Sequence, residues 1–71
     1  MMKTGDLVFT RGCQDMWDSW GKRGDTKVHR TPPNCPGIVI ESLVHQGGNG
    51  CQVLFGDGRT GWISIHGIFK C

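Results

Sequence analysis

Val53-Leu54-Phe55-Gly56-Asp57-Gly58-Arg59-Thr60-Gly61-Trp62-Ile63 is the stretch that decides the fold. Two runs of β-branched, aliphatic and aromatic residues flank Asp57-Gly58, and such residues suit strands whereas Asp and Gly do not. Asp-Gly between two such runs is a hairpin signal, because a two-residue type I′ turn needs positive φ at both central positions. A two-residue turn sets Gly56 opposite Arg59, Phe55 opposite Thr60 and Val53 opposite Trp62. Side chains alternate along a strand, so Val53, Phe55 and Trp62 share the face predicted as core. Leu54 and Ile63 share the other.

Outward from the hairpin the same grammar repeats. Gln46-Gly47-Gly48-Asn49-Gly50 is the strongest loop in the chain. It separates a strand over 37–45, long enough to bend, from one over 51–56. The hairpin's second arm runs over 59–65, His66-Gly67 turns the chain, and 68–70 form a short last strand. At the front, Gly5-Asp6 turns into a first strand over 7–10. The chain has 71 residues with 12 glycines, no tyrosine and no alanine, which disfavours helix and suits short strands and tight turns. No 3.6-residue period, internal repeat or heptad pattern is present. The expectation is one all-β domain over 1–71, a small five-stranded barrel with no helix longer than about two turns.

Between the first two strands lies 11–35, too long for an ordinary connection. Compact domains rarely carry structureless loops beyond about 12–15 residues unless the loop is functional or disordered. Trp17 and Trp20 argue against disorder, since large apolar groups are costly to leave in water. The insertion also carries charge: Arg11, Lys22, Arg23, Lys27 and Arg30 stand against Asp15, Asp18 and Asp25. It therefore holds the whole formal excess of +2, while the remaining residues balance. So small a net charge is too little to imply a general nucleic-acid binder. Thr31-Pro32-Pro33-Asn34-Cys35-Pro36 reads as an extended, polyproline-like return leg.

Cys13, Cys35, Cys51 and Cys71 lack the Cys-x₂₋₄-Cys knuckle of a structural zinc site. No apolar leader precedes the first strand, and no apolar run reaches the 18 residues of a membrane span. The expectation is a cytoplasmic chain with reduced thiols, no metal, no cofactor and no membrane partner. Arg23-Gly24-Asp25 reads as a solvated turn, and Gly21-Lys22-Arg23-Gly24 lacks the spacing of a phosphate loop.

Gly5-Asp6-Leu7-Val8, Gly37-Ile38-Val39-Ile40-Glu41 and the run 53–63 together resemble the SH3-like barrels related to KOW and Tudor modules. They most resemble the small single-domain versions encoded by tailed bacteriophages. The likeness covers about the first ten and the last thirty-five residues. It implies a barrel in which 11–35 occupies the position of the RT loop. It implies no single function, since such barrels bind peptides, RNA, DNA or other proteins. SH3 peptide grooves use tyrosines, absent here; a Tudor-like cage needs convergent aromatics, for which Trp17, Trp20 and Phe9 are candidates. Gly5-Asp6-Leu7-Val8-Phe9 with Gly37-Ile38-Val39-Ile40 is also similar to the back half of NlpC/P60 cysteine peptidases. Asn34-Cys35-Pro36 stands where that family has its histidine, and the helix bearing its nucleophile has no counterpart. The reading is non-enzymatic, with no catalytic residues.

Two functions from different classes follow, with one bland alternative. In the first, 11–35 binds a host or viral protein through Trp17 and Trp20 as anchors, with Arg11, Lys22, Arg23 and Arg30 as polar contacts. Trp and Arg are over-represented at energetic hot spots. In the second, the same cations meet phosphates and the tryptophans stack on bases of RNA or DNA. In the third, the tryptophans plug the barrel of a structural assembly subunit.

Overall fold

A computed structural model describes residues 2–21 and 26–70. The chain is all-β, with seven strands among the described residues: β1 (Leu7–Thr10), β2 (Gln14–Trp17), β3 (Lys27–Thr31), β4 (Pro36–Ser42), β5 (Gly50–Phe55), β6 (Thr60–Ser64) and β7 (Ile68–Lys70). Two 3₁₀ turns, Val44–Gln46 and Ile65–Gly67, are its only helical pieces among the described residues. The strands form one open antiparallel sheet in the order β3-β2-β6-β5-β4-β1-β7.

Seven strands stand among the described residues where five were expected, because 11–35 contributes β2 and β3. β2 and β3 pair as a hairpin, with Gln14 opposite Thr31, Asp15 opposite Arg30 and Met16 opposite His29. Met16 is 1 % exposed and belongs to the core; burying a side chain of that size contributes about 1.5–3 kcal/mol, enough to dock a short hairpin. On the other face the Asp15 carboxylate accepts a hydrogen bond from Arg30 Nη1 at 3.2 Å, with Lys27 Nζ 3.9 Å away. Thr31 Oγ1 accepts from Gln14 N–H. The return leg is strapped to the end of β1. Thr10 Oγ1 donates to Pro32 O and accepts from Cys35 N–H, both at 2.8 Å. The strand predicted over 37–45 ends at Ser42, where the buried Ser42 Oγ donates to Met2 O and accepts from Val44 N–H.

The core joins Val8, Met16, Val39, Cys51, Val53, Phe55, Ile63 and Ile68. Val8 on β1 and Met16 on β2 are four places apart in the sheet, about 19 Å if the sheet were flat. Their membership of one cluster requires the sheet to coil around a single concave face. The smallest extent of the molecule, 19 Å, fits such a curled sheet.

The hairpin at Asp57-Gly58 forms, but not with the expected register. Gly58 N–H donates to Phe55 O at 3.0 Å, and Phe55 N–H to Arg59 O at 2.9 Å. The loop thus holds three residues, Gly56, Asp57 and Gly58. In three-residue hairpin loops a type I turn is followed by one left-handed residue; Gly58 takes that place at φ +88°, and no positive φ falls on Asp57. Arg59 N–H is held by Asp57 Oδ1 at 3.0 Å. The pairing becomes Leu54 with Thr60, Val53 with Gly61, Gln52 with Trp62 and Cys51 with Ile63. A slip of one residue exchanges the two faces of a strand. Ile63 is therefore core at 1 % exposure, and Trp62, expected there, is half-buried on the outside.

Candidate functional site

Three tryptophans gather on the outer face. Trp17 neighbours the core residue Met16 in β2 and points the other way; its partner across the sheet is Trp62. Trp62 in turn pairs with Gln52 on β5, and Gly50 lies two residues from Gln52 on the same face. Trp20, just beyond β2, seats its indole on Gly50. A Cβ at Gly50 would collide with the Trp20 ring, so only glycine leaves room for that seat. The Trp20 indole N–H donates to Asn49 Oδ1 at 3.1 Å, fixing the ring. All three side chains are half-buried: packed on the sheet, yet presenting part of each ring to solvent.

The other residues singled out from the sequence separate into groups. Arg30 stands beside this face on β3 but is engaged with Asp15. Arg30, Lys27 and Asp15 are 63 %, 53 % and 36 % exposed, and pairs so solvated contribute little to folding, which leaves them free to exchange partners. Arg11 does not join the tryptophans. Its guanidinium lies 5.6 Å from the Phe69 ring centroid, and Phe69 stacks on Phe9 at 5.7 Å, on β7 and β1 at the opposite end of the strand order. The ring partner of Phe9 is Phe69, not Trp17 or Trp20. Lys22 and Arg23, with Gly24 and Asp25, lie outside the described residues.

Sequence reasoning missed Trp62 and a second outer feature. Leu7, Ile38 and Leu54 pair across β1, β4 and β5 as one row, exposed by 44 %, 47 % and 39 %. Read as a three-residue loop, Asp57-Gly58 would have turned Trp62 outward; Leu54 was already placed on the outer face, and its row with Leu7 and Ile38 depends on pairings that loop does not set.

Burial pushes the Cys51 thiol up despite its hydrogen bond to Ser42 Oγ, and so keeps it protonated and inert. Cys13 and Cys35 are free thiols as well. Cys71 lies outside the described residues. Among the described residues no three His, Cys, Asp or Glu side chains stand close enough to hold a metal ion, and no helix is long and apolar enough to cross a membrane. No family model, no curated protein and no solved structure matches this chain.

Proposed function

We propose that this chain is a non-enzymatic binding module whose outer face, built from Trp17, Trp20 and Trp62, captures a protein partner. The observation that carries this reading is the half-buried state of all three rings on one face. Anchors held in place before binding spare much of the ordering cost of association, and Trp with Arg dominates binding hot spots. Arg30 and Lys27 flank the rings, and Lys22 and Arg23 follow Trp20 in sequence.

The strand order β6-β5-β4-β1-β7, with the β2–β3 hairpin inserted after the first strand, supports reading the sheet as an SH3-like five-stranded barrel elaborated by an RT-like hairpin. With the sequence's resemblance to phage-encoded barrels, the proposed partner is a host or viral protein of the host cytoplasm. A nucleic-acid partner is the second reading, favoured by the cationic excess of 11–35.

Capture from host lysate by immobilised wild type and by a Trp17→Ala/Trp20→Ala variant tests the proposal. The variant is expected to lose the captured species while its urea midpoint stays close to wild type. A folded variant with undiminished capture contradicts it. An RNA or DNA partner instead gives affinity that falls steeply with salt, with a log–log slope reduced by about 1 for each phosphate contact removed at Arg23 or Arg30.

A further inference from the structure

The seat of Trp20 rests on Asn49-Gly50, and that dipeptide has chemistry of its own. A backbone nitrogen following asparagine can attack the side-chain amide carbon and close a five-membered ring, most readily when the following residue is glycine and carries no obstructing side chain. Asn49 is exposed and precedes β5 in irregular backbone. Its Oδ1 is held by Trp20 Nε1, an N–H donor placed where negative charge develops during attack on the amide carbonyl. The nucleophile is not tied into the sheet. Ile65 N–H donates to Asn49 O at 2.8 Å, which makes Gly50 and Ser64 a pair that exchanges no hydrogen bonds. Gly50 O accepts from Leu43 N–H, so the Gly50 N–H faces the same edge. There Leu43 O is already taken by Gln46 N–H and Gly48 N–H at 3.0 and 2.9 Å.

We propose that Asn49-Gly50 is a self-modifying site that regulates the tryptophan face. Gly50 N bonds to Asn49 Cγ and loses its proton to water, and the side-chain amide leaves as ammonia, giving a succinimide. Water then opens the ring at either carbonyl, yielding aspartate or isoaspartate. On the isoaspartate branch the chain runs through the former side-chain carbonyl and gains one methylene. Gly50 is displaced from beneath Trp20, its pairing with Ser64 shifts, and a new carboxylate appears beside the Trp20 indole. Either product alters the seat, and with it the face on which the proposed function rests.

Ageing of the folded protein at mildly alkaline pH, followed by intact mass, peptide mapping and tryptophan emission, tests this. The expected result is the mass gain of an –NH₂ replaced by –OH, mapped to residue 49, with an emission red shift that follows the same time course. An Asn49→Gln variant keeps an amide acceptor but closes the ring far more slowly, and is expected to show neither change. An intact Asn49 in the folded protein, under conditions that convert the urea-unfolded chain, overturns the proposal; so does conversion without any change in emission. Neither result touches the binding reading, which is judged on freshly prepared protein by the capture assay.

Discussion

At the scale of single residues, burial and charge decide which side chains hold the fold. Ile63 is fully enclosed and Trp62 only half-buried, so Ile63→Ala is expected to cost about 2–5 kcal/mol and Trp62→Ala distinctly less. Urea melts of the two variants check the order, and a more damaging Trp62→Ala would return the larger residue to the core. Asp6 is a second such residue. Burial of its carboxylate pushes the pKa up, but the Lys3 backbone N–H at 3.0 Å and the Lys70 ammonium at 3.5 Å outweigh this, and the net shift is downward. A carboxylate with a lowered folded pKa stabilises fully above its unfolded value and loses that stabilisation as pH falls through the folded one. Wild-type stability should therefore decline below about pH 4, near the unfolded value, and Asp6→Asn should lack that component. Parallel acid titrations of the urea midpoint would contradict this by showing identical slopes.

Elements were legible where a strand and its turn chemistry agreed. The first strand over 7–10 and the last over 68–70 were readable to the residue, because short apolar runs there directly follow the turn signals Gly5-Asp6 and His66-Gly67. The hairpin β2–β3 was not, for physical reasons. Gln14-Asp15-Met16-Trp17 holds no β-branched residue, and what docks it is the burial of Met16, which only tertiary contact provides. Trp17 and Trp20 were identifiable as chemistry-bearing residues, but their companionship with Trp62 depended on a register that one loop residue reverses. That loop can be tested position by position. Gly58 needs positive φ, whereas Gly56 does not, and a Cβ at Gly56 meets nothing within 4 Å. Gly58→Ala is expected to destabilise by about 1 kcal/mol and Gly56→Ala to be close to neutral or slightly stabilising. Equal costs at the two positions in thermal melts would rule out the three-residue turn.

For the whole molecule, one thin core has to be enclosed by one sheet. A domain near this size buries only about 60 % of its unfolded surface, and the coiled sheet leaves apolar and aromatic groups outside as well as inside. The tryptophan face, the Leu7-Ile38-Leu54 row and the Phe9-Phe69 stack are all consequences of that geometry. The central claim is that the register of β5 against β6 turns Trp62 outward to join Trp17 and Trp20. The most direct measurement is the set of Hα–Hα nuclear Overhauser contacts across this strand pair. Opposed residues in non-hydrogen-bonded antiparallel pairs approach to about 4.5 Å between Cα atoms. The structure predicts strong Hα contacts between Gln52 and Trp62 and between Leu54 and Thr60; strong contacts between Val53 and Trp62 or between Phe55 and Thr60 instead would contradict it.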